Sequence, residues 1–299
     1  MTSKRWRIEW PLHLMIWPGL MLVLLFCYGP MVGLIIAFQD FVPTKGLFGS
    51  KYVGLRHFQY IYSLPQTVEV IRNTVFISAM KIAAGLLAPL VTALLLNEIR
   101  REVFKRAVQT IIYLPHFLSW VILSGILIEV LSPTSGIVNR TLGAVGFEPI
   151  FFLGDQGWFP FVMVGTDVWK EFGFGTIVYL AALTSINPAL YEAAVIDGAN
   201  RWKQTMHITL PGMMPIIVLM LTLSLGNVLN AGFDQIFNLY NPSVYATGDI
   251  LDTYVYRLAF VNAQFSVATA VGFFKSVISF TLISISYWLA YRFANYRIF

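Results

Sequence analysis

The sequence predicts an all-α integral membrane protein that crosses the membrane with six helices. Hydrophobic residues make up 57% of its 299 positions and charged residues only 12%, with a mean hydropathy of +0.70. This composition is too apolar for a soluble domain with a water-facing surface. In addition, six stretches supply the roughly 20 mainly apolar residues that a helix needs to cross about 30 Å of hydrocarbon. They lie at about 11–38, 70–96, 107–132, 158–186, 212–236 and 265–291.

The first apolar stretch follows Lys4, Arg5 and Arg7. It is too long for the apolar region of a signal peptide and lacks a small-residue cleavage site, so we interpret it as the first membrane helix. The single cysteine, Cys27, lies within it. One cysteine allows neither a disulfide framework nor a cysteine metal cluster.

The distribution of basic residues orients the six predicted crossings. An even number of crossings places both termini on one side, and that side is cytoplasmic if it carries the excess of Lys and Arg. The termini and the loops at 97–106 and 187–211 carry Lys4, Arg5, Arg7, Arg100, Arg101, Lys105, Arg106, Arg201, Lys203, Arg292 and Arg297. The opposite loops carry only Lys45, Lys51, Arg56, Arg140 and Arg257. We therefore expect cytoplasmic termini, and this bias explains the net charge of +5 without nucleic-acid binding.

A polar stretch, YEAAVIDGANRWKQTMHITLP at 191–211, lies between the fourth and fifth crossings. Asn187 followed by Pro188 is typical of a helix start, and Gly198 allows a change of direction. We predict one short helix before Gly198 and a second over about 199–209. The small-residue face flanked by acids suits insertion into a cleft of a cytoplasmic partner; the alternative is an amphipathic helix resting on lipid headgroups.

The same stretch resembles the EAA loop of binding-protein-dependent ABC importer permeases, which runs Glu-Ala-Ala, two residues, Asp-Gly-Ala, then an apolar helix ending in Ile-x-Leu-Pro. The residues that match in register are Glu192, Ala193, Ala194, Asp197, Gly198, Ala199, Ile208, Leu210 and Pro211. The resemblance implies that the loop forms coupling helices that dock into an ATPase subunit. The implied docking element comprises Glu192, Ala193, Ala194, Asp197, Gly198 and Ala199.

A wider resemblance covers nearly the whole chain. Three segments are similar to the carbohydrate-uptake branch of these permeases, particularly the maltose-type and glycerol-phosphate-type members. They are WPGLMLVLLFCYGPMVGLIIAFQDF, KYVGLRHFQYI and LNEIRREVFKRAVQTIIYLPHFLSWVI. NAGFDQIFNLYNPSVYATGDILDTYVYRLAF, at 230–260, resembles permeases for complex polysaccharides and oligosaccharides. The resemblance implies a type I ABC importer permease fold, with 1–299 forming one transmembrane domain in the bacterial cytoplasmic (inner) membrane.

The resemblance also implies partners. A second homologous permease would complete an alternating-access pathway for an oligosaccharide or polysaccharide, two ABC ATPase subunits would bind ATP and Mg, and an extracytoplasmic solute-binding protein would deliver the sugar. The chain itself contains no GxxxxGK[ST] phosphate loop, no HExxH and no GxSxG. We therefore expect no catalytic residue, no metal site and no cofactor in this chain, whose surroundings are membrane lipid.

Polar residues within the apolar stretches are the candidates for the transport pathway, because an ionisable group at the centre of a membrane helix costs about 2.5–3.5 kcal/mol. The fourth crossing carries Asp167, Trp169, Lys170, Glu171 and Phe172. Asp167 and Lys170 are three residues apart, which predicts that they pair. Glu171 then needs another partner, for which Lys81 and Lys275 are candidates.

The fifth crossing contributes Asn227, Asn230 and Asp234, whose spacings of three and four place them on one stripe of a helix that could line the pathway. Lys275 is the candidate from the sixth crossing. Alternatives are snorkelling lysines, asparagines that join helices and purely structural ion pairs.

Two other functions are compatible with the sequence. One is an ABC permease for a different solute, such as a phosphate ester or a peptide. The other is an ion-driven secondary transporter, which would usually show internal repeats or broken helices; the chain has no clear repeat.

Overall fold

The structure is a computed structural model that describes residues 2–294, so Arg297 lies outside the described residues. The chain forms two compact units. One unit comprises the chain up to Leu64 together with Val255–Phe274, and the other comprises Pro65–Tyr254 together with the chain from Lys275.

The first unit begins with a long apolar helix. α1 (Thr2–Val23) continues through a π-helical turn (Leu24–Tyr28) into a 3-10 segment (Gly29–Phe38). The part from Trp10 to Phe38 is long and apolar enough to cross a membrane. It is followed by two short antiparallel strands and two short helices: β1 (Gln39–Asp40), α2 (Gly46–Gly49), β2 (Lys51–Tyr52) and α3 (Arg56–Ser63).

The rest of the described chain is helical, with short irregular connections. The helices in order are α4 (Pro65–Glu98), α5 (Glu102–Tyr113), α6 (Trp120–Val130), α7 (Ile137–Ala144), α8 (Phe159–Thr184), α9 (Pro188–Ile196), α10 (Arg201–Gln204), α11 (Leu210–Leu225), α12 (Phe233–Leu239), α13 (Tyr245–Gly248), α14 (Leu251–Tyr256) and α15 (Phe265–Ala294). Additional 3-10 and π-helical segments cover Leu114–Phe117, Thr205–Thr209, Pro242–Val244 and Arg257–Val261.

Four helices of the described chain are long and apolar enough to cross a membrane, and up to six spans result if each of two bent pairs counts as one. The four are Trp10–Phe38, Pro65–Glu98, Arg201–Leu225 and Phe265–Trp288. The bent pairs are Glu102–Phe117 with Trp120–Val130, at 103°, and Phe159–Thr184 with Pro188–Ile196, at 70°. The predicted third crossing is therefore broken, because Ser119 caps a new helix by accepting a hydrogen bond from the Ile122 amide at 3.4 Å.

The predicted bounds of the fifth crossing, 212–236, are wrong at both ends. The helix begins at Arg201 and runs without interruption to Leu225, so the short helix predicted over 199–209 is part of the same span. After Leu225 the chain turns, and Gly232 adopts a left-handed φ of +94° before α12. Few residues other than glycine adopt that conformation, so the helix cannot continue through it.

Close helix packing positions the polar residues on α8. A Cβ atom on Gly173 would lie 1.9 Å from the carbonyl oxygen of Ile112, and one on Gly175 would lie 3.0 Å from the ring of Pro89. Gly173 therefore lets α8 approach α5 more closely than any side chain would permit, and Gly175 allows a tight contact with α4. A buried apolar cluster lies in the same unit: Ile77, Leu153, Phe159, Met163, Ala231, Ile236, Leu239, Val244 and Ile250.

Candidate functional site

A buried ion pair joins α4 to α8. The Lys81 ammonium lies 3.0 Å from Asp167 Oδ1, donates to the Ala231 carbonyl oxygen at 2.7 Å and also contacts Gln235 Oε1. The Lys81 side chain is 9% exposed and that of Asp167 is 25% exposed. Three protein oxygens thus take the place of water around this cation, which is the condition under which a buried charge is tolerated.

Gln235 of α12 is fully buried and completes the hydrogen-bond network around Lys81. Its amide nitrogen donates to the Met163 carbonyl oxygen at 2.8 Å and to Thr166 Oγ1 at 2.7 Å, which leaves Oε1 for Lys81. Gly232 makes this approach possible, since a Cβ atom there would lie 2.9 Å from Lys81 Nζ. The left-handed turn and the ion pair therefore depend on the same glycine.

The ion pair borders a polar cavity of about 240 Å³. The Asn230 amide nitrogen donates to Asn227 Oδ1 at 3.2 Å at its edge. The cavity is lined by Ser78, Lys81, Ile82, Gly85, Asp167, Ser224, Asn227, Asn230, Ala231 and Gly232. Amides, hydroxyls and one ion pair give this cavity both donors and acceptors, the combination that orients a polar solute.

A second ion pair lies next to the asparagines. Lys275 of α15 donates to Asn230 Oδ1 at 2.7 Å and pairs with Asp252 of α14. The side chains of Lys275 and Asp252 are 16% and 26% exposed. Lys275 therefore reaches the cavity through Asn230, and its charge is compensated by an acid that the sequence interpretation had placed in an outer loop.

The predicted pair between Asp167 and Lys170 is wrong. Lys170 Nζ instead lies 2.8 Å from Glu171 Oε1 and donates to the His116 carbonyl oxygen at 2.9 Å. Glu171 Oε2 lies 2.7 Å from His116 Nδ1, so neither Lys81 nor Lys275 is its partner. The physical reason is the break in the third span, since a helix end leaves carbonyl groups without helical donors and Lys170 supplies one.

Aromatic rings enclose this second polar cluster, which comprises Lys170, Glu171 and His116. The imidazole ring of His116 stacks on Phe174 with ring centres 4.1 Å apart and an angle of 5° between the planes. Lys170 Nζ lies 5.7 Å from the ring centre of Trp120, within the range of a cation–π contact. The cluster ties α8 to both halves of the broken span.

The other pathway candidates lie outside the cavity lining. Trp169 and Asp234 are exposed, and Phe172 is half-buried. The predicted stripe of Asn227, Asn230 and Asp234 on one helix is wrong, because α11 ends at Leu225. Both asparagines lie in the following turn, and Asp234 belongs to the first turn of α12.

The loop after α8 has the predicted helix start and bend. Asn187 Oδ1 accepts a hydrogen bond from the Ala189 amide at 3.0 Å and caps α9. Gly198 has a left-handed φ of +75°, and Asn200 caps the next helix by accepting from the Lys203 amide at 2.9 Å. Two helix starts and one glycine thus define the geometry of the loop.

The α9 helix presents its side chains outward. The six residues of the predicted docking element are all exposed or half-buried: Glu192, Ala193, Asp197 and Gly198 exposed, Ala194 and Ala199 half-buried. Ile196, next to them, is 86% exposed. Val195 is 63% exposed as well, so two adjacent apolar side chains lie open between the two acids of this loop.

A cleft of about 590 Å³ lies beside this loop. Arg201 and Glu98 form an ion pair of 2.8 Å across it, joining α10 to the end of α4. Tyr191 and Thr209 hydroxyl oxygens lie 2.9 Å apart on its wall. The cleft is lined by Asn97, Glu98, Tyr191, Glu192, Val195, Ile196, Arg201, Gln204, Thr205 and Thr209.

The residues of these sites that the sequence analysis did not single out include Gln235, Asp252 and Glu98. Gln235 lies within the predicted fifth crossing. The free-energy cost of a polar side chain in the membrane, which singled out the asparagines, applies to Gln235 as well. Asp252 had been assigned to an outer loop. No local pattern could have paired Glu98 with a residue 103 positions away.

A set of apolar helices around a charged, hydrogen-bonding cavity, together with an exposed helical loop, defines a membrane transport protein. The family described as "Binding-protein-dependent transport system inner membrane component" matches residues 85–295, and the chain belongs to this family. Family membership decides against the alternative of an ion-driven secondary transporter.

Relatives cover almost the whole chain. It is 42% identical to "Polygalacturonan/rhamnogalacturonan transport system permease protein YteP" of Bacillus subtilis (strain 168), over 96% of this chain and 90% of that protein. A solved structure described as "a bacterial ABC transporter involved in the import of the acidic polysaccharide alginate" matches with a TM-score of 0.90 and 38% identity, over 97% of this chain and 98% of that one. A bacterial alginate ABC transporter in complex with an alginate pentasaccharide-bound periplasmic protein matches with the same TM-score and identity, over 97% of each chain.

Proposed function

We propose that this chain is the transmembrane permease subunit of an ATP-driven importer and lines the pathway of an oligosaccharide or polysaccharide. The observation that carries the proposal is the match to the alginate importer, at 38% identity over 97% of the chain. That protein is described as importing the acidic polysaccharide alginate, and the Bacillus relative as a polygalacturonan/rhamnogalacturonan transport system permease. A uronate-containing oligosaccharide is therefore the first substrate to test.

In this proposal the chain is one transmembrane domain with six crossings, both termini cytoplasmic, and the type I ABC importer permease fold. Each bent pair of helices counts as one crossing. The excess of Lys and Arg in the termini and in the loops at 97–106 and 187–211 supports this orientation.

The cavity next to the ion pair between Lys81 and Asp167 is the proposed contact region for the sugar. Asn227 and Asn230 offer amide groups there, and Lys275 holds Asn230 in place. Lys170 and Glu171 support the broken span in this proposal. Trp169, Phe172 and Asp234 stay candidates for pathway contact when the second permease is present.

The loop formed by α9 and the start of α10 is the proposed docking site for an ATPase subunit. Exposure of Glu192, Asp197 and Ile196 supports this role. The partner set comprises a second homologous permease, two ABC ATPase subunits and an extracytoplasmic binding protein. ATP and Mg bind to the ATPase subunits, so this chain is non-catalytic and carries no cofactor of its own.

Reconstitution of the complete importer in liposomes tests this proposal. The measured quantity is uptake of a defined oligogalacturonate, an alginate oligosaccharide and a neutral malto-oligosaccharide, each delivered by the binding protein. We expect ATP-dependent uptake of at least one sugar, unchanged by a protonophore and abolished by a non-hydrolysable ATP analogue. Uptake of a phosphate ester or a peptide in place of every sugar would establish the alternative cargo instead.

A further inference from the structure

One face of α4 contributes a row of residues to the cavity. Ser78, Lys81, Ile82 and Gly85 all line it, and spacings of three, four and seven place residues on one side of a helix. Ser78 and Gly85 lie on either side of Lys81, about 10 Å apart at 1.5 Å per residue. The Lys81 charge is already engaged by Asp167 and Gln235, whereas the two flanking residues carry no charge.

The Ser78 hydroxyl oxygen has no hydrogen-bond partner among the described residues, although the residue is only 1% exposed. Two threonines of the same helix bond back to the preceding turn: Thr74 donates to the Val70 carbonyl oxygen at 2.7 Å, and Thr92 donates to that of Ala88 at 2.7 Å. The Thr67 hydroxyl also has no partner among the described residues, but Thr67 lies outside the cavity lining. A buried hydroxyl without a partner is unfavourable. A polar group that enters the cavity would supply the missing partner.

Gly85 provides a complementary backbone acceptor. Position 89 is proline, which has no N–H, so the Gly85 carbonyl group lacks the donor four residues ahead that other helical carbonyls have. Gly85 is exposed, and a Cβ atom there would meet nothing within 4 Å. Packing therefore does not require glycine, and the space in front of this backbone is open.

We propose that Ser78 and Gly85 form a hydroxyl-recognition subsite for the translocated sugar, with the Ser78 hydroxyl as donor or acceptor and the Gly85 carbonyl as acceptor. The subsite rests on the proposed function and specifies which chemical groups of that substrate it binds. The Gly85 carbonyl can only accept a hydrogen bond, so its partner must be a donor, and a sugar hydroxyl is a donor whereas a carboxylate is not. Ser78 is closed off in this structure, so the contact forms in the conformation in which the cavity is wider.

Uptake kinetics give the first test, in the reconstituted importer with whichever sugar of the panel above is transported. Ser78→Ala should raise the apparent KM about three- to tenfold, the loss expected for one hydrogen bond to a bound ligand. Ser124→Ala is the matched control, because Ser124 is likewise buried, at 3% exposure, and its hydroxyl has no partner among the described residues, but it lies outside the cavity lining. Equal KM values for both variants and the wild type would overturn the subsite.

Cysteine accessibility gives a second test that does not depend on a transport rate. Ser78→Cys and Ser124→Cys are made in a Cys27→Ser background, since Cys27 is the single natural cysteine. During ATP turnover a water-soluble methanethiosulfonate reagent should label Ser78→Cys, and the transported sugar should protect it; Ser124→Cys should stay unlabelled. A Ser78→Cys protein that is never labelled, or labelled without protection, contradicts the proposal.

The two proposals fail differently. A wild-type importer that transports none of the three sugars contradicts the proposed function and the subsite with it. A wild-type importer that transports a sugar, with Ser78→Ala indistinguishable from Ser124→Ala, removes the subsite alone.

Discussion

Lys81 on α4 and Asp167 on α8 form an ion pair of 3.0 Å although 86 positions separate them in the sequence. The pair is mostly buried and borders the cavity that we propose as the sugar pathway. It joins two of the principal packed helices of the second unit, so it contributes to the stability of the fold and to the polarity of the cavity at the same time.

Removing one charge of this pair should destabilise the protein. Asp167→Ala leaves the Lys81 ammonium with only neutral acceptors, and we expect a loss of about 2–3 kcal/mol in the free energy of unfolding, at the low end for a broken buried pair because Asp167 is 25% exposed. Denaturant unfolding in detergent measures the loss. The double variant Lys81→Met, Asp167→Leu should recover part of it.

The exposed pair between Glu102 and Arg106 is the control for this prediction, with side chains 78% and 79% exposed. Arg106→Ala should change the free energy of unfolding by less than about 1 kcal/mol. Equal losses for Asp167→Ala and Arg106→Ala would show that burial does not strengthen the first pair.

The glycine contact between α8 and α5 should not tolerate a methyl group. In Gly173→Ala the new Cβ would lie 1.9 Å from the Ile112 carbonyl oxygen, so the helices must separate, at a cost of about 1–3 kcal/mol or more. Gly165→Ala, in the same helix with nothing within 4 Å, should be neutral or stabilising by up to about 1 kcal/mol. Thermal unfolding followed by fluorescence-detected gel filtration compares them, and equal midpoints would refute the close packing.

The bend at Gly198 should be essential for coupling. Gly198→Val places a β-branched residue at a φ of +75°, a conformation it strongly disfavours. We expect loss of substrate-stimulated ATP hydrolysis and of transport, with membrane insertion intact. Gly146→Val is the matched control, because Gly146 has a φ of +92° and also meets nothing within 4 Å. If Gly146→Val abolishes coupling equally, strain in general and not the loop is responsible.

The acid on α9 should contribute to retention of the ATPase subunit. Glu192→Lys reverses an exposed charge within the predicted docking element, so a basic partner surface would be repelled instead of attracted. The ATPase retained after gentle solubilisation and affinity purification should fall several-fold. Glu102→Lys alters another exposed acid predicted on the same side and should leave retention unchanged. Undiminished retention in Glu192→Lys would exclude this acid as a docking contact.

Most spans could be predicted from composition and length alone. The first, second, fourth and sixth predicted stretches correspond to Trp10–Phe38, α4, α8 and α15, because an apolar run of that length has few other stable structures in a bilayer. The break at Ser119 could not be predicted by counting apolar residues, since both halves are apolar. The end of α11 depends on a turn with Gly226 and Gly232, whose effect hydropathy does not register.

Within the site, the residue types were predicted but the pairs were not. Asp167, Asn227 and Asn230 were selected because polar groups in a membrane are costly, and they do line the cavity. Helical spacing predicted a pair between Asp167 and Lys170. In the structure Asp167 pairs with Lys81 of α4, and Lys170 pairs with Glu171 next to the broken span. Contacts between helices that are distant in sequence determine both pairs. Only the tertiary structure specifies those contacts.

The helix from Arg201 to Leu225 contributes residues to both the cleft beside α9 and the polar cavity. Gln204 and Thr205 line the cleft beside the loop after α8, and Ser224 lines the polar cavity. Twenty residues at 1.5 Å each separate these ends by about 30 Å. A displacement imposed at Gln204 would therefore reach the wall of the polar cavity through one helix, without crossing a loop. The π-helical turn at Thr205–Thr209 and the proline at 215 are the two places where this helix could bend instead.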